Sequence, residues 1–431
     1  MKLKAALGPV QLAFYSVGVI IGAGVYSVIG VAAGIAGESL WLSFIIAAIV
    51  AALTAVSYAE MTTAFPAAGA EYVYVRQALP EARWISVGMG VVILFGGAAT
   101  ATTVAVGFGS YLQLFVNMSP TVSAVLLLMF CTAVNVVGIR EASWLNVLFT
   151  SVEVAGLFLV IGAGLSRESF LDPAVLLPHS GVLPAAAIIF FVYLGFEEVA
   201  NLAEEVRNPG RDIPRAIFIS LGITTVLYVT VALAAVALVS PAELANSGAP
   251  LATALQRAWP QATWVLSAIA LFATANTVLI TLIATSRLAF SMGREGDLPA
   301  ALSNLALGRQ TPWVAAILVL AMSAILLPLG DLQILAELSS FSALIAFLAV
   351  NLALIILRYR LPKHPRPFLV PWSIGGMPIL PVAAILSIVL LLLSFDRSIL
   401  VAGALICIIT LSFVMRRYLM GLKIRRRRRK G

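Results

Sequence analysis

Carboxylates set inside apolar runs are the residues of this chain whose type and setting could do chemistry. The clearest case is Phe190-Phe191-Val192-Tyr193-Leu194-Gly195-Phe196-Glu197-Glu198, where a glycine and two acids interrupt a hydrophobic stretch that continues to Glu204 and Glu205. A charge near the middle of a bilayer costs roughly 2.5 to 3.5 kcal/mol on insertion scales, so acids kept there point to a task beyond folding. Glu153 is a second case, near the middle of the run Leu148-Phe149-Thr150-Ser151-Val152-Glu153-Val154-Ala155-Gly156, with no basic residue in that run to pair with it. Such a carboxyl can bind and release a proton, or remain a neutral, hydrogen-bonded structural group.

A third interruption, Gly22-Ala23-Gly24 between Ile21 and Val25, carries no acid and offers backbone chemistry instead. Two glycines let a helix unwind at small steric cost, opening N–H and C=O groups that an apolar surrounding would leave unsatisfied. The half-helix that starts at Gly24 presents positive dipole character, which suits a carboxylate. The carbonyls that close the preceding half, Val19 to Ile21, suit an ammonium group or a cation. A zwitterionic amino acid carries both groups close together. The same Gly-x-Gly also serves close helix packing, so alone it leaves both readings open. Gly195 repeats the arrangement after an aromatic-rich half made of Phe190, Phe191 and Tyr193.

The elements that must position these residues are membrane helices. The chain is 61% hydrophobic and only 11% charged, against about a quarter charged in soluble domains. Its apolar stretches have the roughly 17 to 25 residues that cross a bilayer as a helix, and they lack the every-second-residue alternation of barrel strands. Twelve spans are expected, at approximately 9–34, 40–64, 82–114, 121–138, 144–165, 182–203, 215–239, 263–291, 312–329, 334–357, 377–394 and 398–415. With a cytoplasmic N-terminus, the inner loops and tails collect about 24 of the 27 Lys and Arg, counting those at the inner ends of spans and leaving only Arg167, Arg257 and Arg397 outside, as the positive-inside rule requires. Both termini are then cytoplasmic. The interrupted spans are the first and the sixth, the spacing of two inverted five-helix repeats whose broken helices face each other across a site.

The remaining features call for less. The net charge of +8 is concentrated in the tail from Arg416 to Lys430, which directly follows a span. Anionic headgroups, rather than nucleic acid, are the expected partner. Cys131 and Cys407 lie inside apolar spans, so no disulfide or metal site is expected, and the first apolar stretch lacks a convincing signal-peptide cleavage site. The longer loops are 65–81, expected to pack at the cytoplasmic mouth, and 240–262; Pro362 to Pro367 forms a stiff inner loop. Glu60 can pair with Arg287 or Arg294 as a cytoplasmic gate, or simply be solvated. Asn276 and Asn351 can hydrogen-bond across helices. His179 and His364 are loop residues. No paired histidines, nucleophile elbow or phosphate-cradling loop supports an enzyme or an ATP-driven pump. A channel would use buried acids as a selectivity ring but would not need facing broken helices.

The residues then reach a family pattern. Gly18 to Tyr26 (Gly-Val-Ile-Ile-Gly-Ala-Gly-Val-Tyr) resembles the first-span signature of the amino acid/polyamine/organocation transporter superfamily. So do Tyr58-Ala59-Glu60 with Phe65-Pro66 and Gly69-Ala70-Glu71-Tyr72. Gly195-Phe196-Glu197 running into Ala203-Glu204-Glu205-Val206-Arg207-Asn208-Pro209 and Arg211-Asp212-Ile213-Pro214 is similar to its sixth span and following loop. Ser286-Arg287 with Gly293-Arg294-Glu295-Gly296-Asp297-Leu298-Pro299 is similar to its eighth-span ending.

The resemblance implies an amino acid permease, all-α and polytopic, with the leucine-transporter-type 5+5 inverted repeat and two added helices. The expected organisation is 1–165 for the first repeat, 166–357 for the second, 358–415 for spans eleven and twelve, and 416–431 for the basic tail. It implies secondary active transport of amino acids across the cell membrane by alternating access, as proton-coupled symport, with polyamine or organic-cation transport and amino acid exchange as alternatives and an ion channel as a remote one. Gly22, Ala23 and Gly24 would bind the substrate carboxylate, and the carbonyls of Ile20, Phe190 and Phe191 its amino group. Gly195 forms the second break, and Tyr193 and Phe196 would line or gate the pocket. Some relatives carry serine where this chain has Ala23, so a hydroxyl contact is lost here. Glu197 takes the position of an acid linked to proton sensing. Similar transporters place a lysine or carboxylate near Glu153, where others hold sodium between the first and eighth spans; Glu153 is expected to carry the coupling proton, with Thr281, Thr285 and Ser286 as neighbours. No cofactor is implied, and H+ is expected over Na+.

Overall fold

Glycines with left-handed backbone set the architecture at three points. In the computed structural model, which describes residues 9–66, 70–137, 143–167, 180–306 and 311–428, α1 (Pro9–Ile21) stops at Gly22, whose φ of 23° no helix tolerates, and α2 (Gly24–Ala36) starts again two residues later. Gly37, at φ 61°, ends α2, and α3 (Leu40–Ala64) follows after a single 3-10 turn. Gly195, at φ 120°, breaks the run that begins with α8 (Val182–Ile189). On either side of that glycine the chain is 3-10 rather than α-helical, over Phe190–Tyr193 and Phe196–Glu205, with Leu194 extended between them.

The other helices are α4 (Ala70–Ala78), α5 (Arg83–Leu112), α6 (Pro120–Val137), α7 (Ser143–Leu165), α9 (Pro209–Leu238), α10 (Pro241–Ala245), α11 (Pro250–Ala258), α12 (Thr263–Arg294), α13 (Trp313–Leu326), α14 (Leu332–Arg360), α15 (Ile379–Leu392) and α16 (Arg397–Arg428). A two-stranded antiparallel hairpin, β1 (Ser373–Ile374) with β2 (Met377–Pro378), decorates the connection between α14 and α15. The described residues are 83% helical, as expected of a multi-pass membrane chain and not of a barrel. His179 lies outside the described residues.

Eight helical runs among the described residues are long and apolar enough to cross a membrane, and a ninth arises if α15 and the first part of α16, bent by 119°, count as one. Twelve spans were expected. One merged run, one short helix and the bent α15/α16 pair account for the difference. Gly24–Ala64 registers as a single run of 41 residues, roughly twice what a bilayer needs, although Gly37 divides it. The first break leaves only Leu12–Ile21 as a short apolar helix, and Trp313–Leu329 is likewise short. The last helix runs through Arg428, beyond the expected span end at 415.

One face of the bundle, here the basic face, carries the end of α3, the start of α5 and the ends of α12 and α14. Ion pairs join these ends: Arg83 with Asp297, Arg76 with Glu295, and Arg360 with Glu81. On the opposite face α10 and α11 seat against α2 because Gly30 and Gly34 have no side chain. A Cβ on Gly30 would stand 2.5 Å from the Leu244 carbonyl, and one on Gly34 would stand 2.7 Å from the Ala245 methyl. Core packing between α5 and α12 uses the same device, with Gly97 set against Thr285.

Candidate functional site

The two breaks meet. A Cβ on Gly195 would lie 2.9 Å from the Val19 carbonyl oxygen, and one on Gly24 would lie 3.1 Å from the Val192 Cα. Each interrupted helix thus has its exposed backbone in contact with the other, and Ile20, Ala23, Phe190, Phe191, Tyr193 and Phe196 are buried there, while Val19, Leu194 and Glu197 are partly buried.

Side chains from other helices hold the unwound backbone. The Ala23 N–H donates to Thr277 Oγ1 on α12 at 2.9 Å, while the Gly22 N–H reaches Gly18 O at 3.4 Å. At the end of α1 the Tyr228 hydroxyl, from α9, shares its proton between Ile20 O (2.8 Å) and Ile21 O (3.0 Å), with Val192 O of the second break at 3.5 Å. The Gly195 N–H donates to Glu197 Oε2 at 2.8 Å, so this acid caps the break it follows. Leu194 N–H takes Phe191 O at 3.3 Å. These groups are those a helix break must satisfy inside an apolar environment.

Aromatic rings surround the junction. Tyr193 stands edge-on to Tyr228, with centroids 5.6 Å apart, and its hydroxyl donates to Phe44 O at 3.1 Å. Towards the basic face Phe196 contacts Tyr58 (5.6 Å) and Phe347 (5.3 Å), and Phe347 also meets Phe190 (5.7 Å). Rings at such separations interlock edge to face and form rigid walls.

Glu153, on α7, is 1% exposed. Asn276 of α12 hydrogen-bonds its carboxyl, and Oε1 has no partner. Its main-chain carbonyl accepts the Tyr26 hydroxyl at 2.8 Å, linking α7 to α2. Asn276 adjoins Thr277, so the Glu153 carboxyl is one residue along α12 from the group that holds Ala23. The three hydroxyl residues expected around Glu153 are placed deeper along α12. Thr285 bonds Thr281 O at 2.7 Å and packs on Gly97, and Ser286 takes the Asn135 amide at 3.1 Å.

The two helix breaks touch and their exposed backbone is held by hydroxyls from other helices, and comparison with known proteins says what kind of chain this is. A family model described as amino acid permease matches residues 7–415. The chain belongs to the amino acid permease family. Over 419 residues the permease is 31% identical to the branched-chain amino acid permease of Bacillus subtilis, covering 91% of this chain and 88% of that protein. It is 30% identical to the methylthioribose transporter of the same organism, over 88% and 86% of the two chains. It is 34% identical to the vacuolar cationic amino acid transporter 4 of Arabidopsis thaliana, over 83% of this chain and 64% of that one. The permease is therefore a multi-pass integral membrane transporter of the amino acid/polyamine/organocation superfamily, not an enzyme.

One expected pair is corrected. Glu60 does not meet Arg287 or Arg294; Arg287 is exposed and Arg294 lies over the Phe290 ring. Glu60 is fully buried between Arg358, with Nη2 at 2.5 Å, and Arg366, with Nε at 3.0 Å, and it also accepts the Val370 N–H at 2.8 Å. It thereby fastens the Pro-rich loop after α14 to the end of α3. Asn351 does bond across helices, taking the Ser57 hydroxyl at 2.7 Å. Thr277 and Tyr228 are the site residues that sequence reasoning passed over. For Tyr228 a signal exists: Ser220, Thr224 and Tyr228 recur every four residues and so line one face of α9, and Ser220 meets Ser16 of α1 at 2.6 Å.

Proposed function

We propose that this permease is a secondary active transporter that carries amino acids by alternating access, as a proton-coupled symporter with the substrate bound between the two helix breaks. The observation that supports this most is the chemistry of the two hydroxyls at the first break. Thr277 offers an acceptor to the Ala23 N–H, and Tyr228 offers a donor to the Ile20 and Ile21 carbonyls. A zwitterion brings the same pair of functions on one carbon: a carboxylate for the N–H groups of residues 22–24 and an ammonium for the carbonyls that end α1. Phe190, Phe191, Tyr193 and Phe196 then line the side-chain end.

A neutral aliphatic amino acid fits this wall best, because rings and aliphatic groups dominate it and Glu197 is engaged by the Gly195 N–H. The branched-chain permease among the relatives supports this choice. The second reading, a cationic amino acid or polyamine, has two observations in its favour: Glu197 and Glu198 adjoin the break, and relatives include cationic amino acid transporters. Glu153 is the proposed carrier of the coupling proton, since it is buried, has an oxygen without a partner and is bonded by Asn276, the residue before Thr277. H+ is favoured over Na+ because that site already holds a carboxyl able to take the proton.

In this reading the chain has twelve spans. The first and sixth open two inverted five-helix repeats (1–165 and 166–357), 358–415 adds two more, and both termini lie in the cytoplasm, where the basic tail meets anionic headgroups. The basic face is then the inner one. The test is uptake into proteoliposomes of a panel of aliphatic, cationic and polyamine solutes, with and without imposed proton and sodium gradients. Saturable, proton-driven uptake of aliphatic amino acids is expected. Flux of polyamines alone, or flux that follows only sodium, would overturn the reading.

A further inference from the structure

Helix α4, the short element between α3 and α5, holds a carboxylate that transport as described does not use. Its two sides do different work. Tyr72 and Arg76 bind the loop that follows α12, Tyr72 through Asp297 and Arg76 through Glu295. On the other side Tyr74 meets Thr62 Oγ1 at 2.9 Å, and Glu71 Oε1 accepts the Tyr58 hydroxyl at 2.7 Å. α4 is therefore anchored at one edge and grips α3 at the other.

Tyr58 is the residue this grip controls. Its ring stands edge-on to Phe196 at 5.6 Å, to Phe347 at 5.4 Å and to Tyr74 at 6.3 Å, all buried. Phe196 immediately follows the Gly195 break, so Tyr58, Phe196 and Phe347 form the floor between the junction and the basic face. A phenol in this position can rotate about two side-chain torsions only. The hydrogen bond to Glu71 is the polar anchor at its far end.

We propose that Glu71 is the positioning residue of the inner gate: by accepting the Tyr58 hydroxyl it holds the Tyr58 ring beneath Phe196 and Phe347 and keeps the floor closed. Glu71 touches no substrate and acts through Tyr58. Burial raises its carboxyl above the ordinary carboxylate value, Glu198 adds to this, and the Tyr58 bond opposes it. A carboxyl kept in such a place despite that penalty is held for its geometry. The role rests on the alternating-access reading, since a gate has meaning only where the floor must open.

The experiment reads the floor itself, without substrate. A cysteine is introduced at Ala200, which is 1% exposed and lies on the basic-face side of Phe196, in a background carrying Cys131→Ala and Cys407→Ala. Its alkylation rate from the basic face is measured in Glu71→Ala, Glu71→Gln, Tyr58→Phe and the Glu71→Ala/Tyr58→Phe double variant. Glu71→Ala and Tyr58→Phe should each raise the rate about tenfold, roughly the factor that one hydrogen bond to a carboxylate represents. The double variant should match either single, because one bond is broken once. Glu71→Gln retains an acceptor oxygen and should restore the wild-type rate.

Unchanged alkylation in Tyr58→Phe, which keeps the ring and with it the packing, would overturn the assignment even if Glu71→Ala failed to fold. Multiplying effects in the double variant would overturn it too, since they would show that Glu71 acts other than through Tyr58. Uptake by the wild-type protein is recorded separately. If it transports nothing while the alkylation pattern holds, the transport reading fails and the control of Tyr58 by Glu71 stands.

Discussion

Replacing Tyr228 by phenylalanine removes one oxygen and tests whether the end of α1 is held from outside. The ring would keep its contacts with Phe44 (5.8 Å) and Tyr193 (5.6 Å). What it would lose is the donor to Ile20 O and Ile21 O. Because α1 stops at Ile21, these carbonyls have no regular partner four residues on. Both residues are buried, at 2% and 0% exposure, so water does not replace the phenol. An average interhelical hydrogen bond in a membrane protein contributes only about 0.6 kcal/mol. Leaving a buried acceptor unsatisfied costs about 1 to 3 kcal/mol. The second figure governs here.

Tyr193→Phe is the matched control. Its hydroxyl also donates to a carbonyl, Phe44 O, but that acceptor lies inside the uninterrupted helix α3 and keeps its helical bond. The control should therefore cost about the average 0.6 kcal/mol, and Tyr228→Phe about 1 to 3 kcal/mol. Thermal unfolding of the purified permease in detergent measures both. A transported amino acid should raise the melting temperature of Tyr228→Phe more than that of the wild type, because its ammonium meets the two orphaned carbonyls. Equal, small losses in the two variants, with the same response to ligand, would refute the claim that Tyr228 holds the break.

Three further outcomes follow from the geometry. Glu153→Gln keeps the size and the Asn276 contact, so folding should be preserved while the proton-gradient-driven component of uptake disappears; unaltered pH-driven uptake in proteoliposomes would exclude Glu153 as the proton carrier. Glu60→Gln would leave the guanidinium groups of Arg358 and Arg366 without the carboxylate between them, and should destabilise the protein by about 3 to 5 kcal/mol, read as loss of folded yield and melting temperature. Glu71 supplies a pH dependence: because its folded value is raised above the unfolded one, the folded state binds the extra proton, so this group's contribution to stability is most favourable at acid pH and falls as pH climbs from the ordinary carboxylate range through the folded value. Melting temperature plotted against pH should lose that slope in Glu71→Gln.

The breaks were legible in the sequence because an interruption in an apolar run is a local signal, carried by adjacent residues such as Gly22 and Gly24, or Gly195 and Glu197. What binds the broken backbone was not, because those contacts join residues 254 and 208 positions apart, Ala23 with Thr277 and Ile20 with Tyr228. A single hydroxyl in a membrane helix can satisfy itself on its own preceding turn, as Thr285 does on Thr281 O, so its presence names no partner. Thr277, Thr281 and Thr285 share one stripe of α12 at four-residue spacing. Sequence reasoning reached the stripe and chose its deeper end, whereas Thr277, two turns or about 12 Å higher, is the residue level with the first break.

Glu60 shows the same limit for charge. Proximity in the expected topology favoured Arg287 and Arg294, both at the end of the eighth span. The partners are instead Arg358, 298 residues away in the last turn of α14, and Arg366, carried by the proline-rich loop that follows that helix. A charge deep in such a protein constrains how the chain must close around it, and only the closed chain says which opposite charge arrives. The acids of this permease thus divide by what surrounds them. Glu60 is compensated by two guanidinium groups and fastens the structure. Glu197 spends itself on the backbone of its own break. Glu153, with one oxygen unengaged beside the helix that holds Ala23, is left as the acid whose protonation can report on the break, and that is why the coupling role is assigned to it.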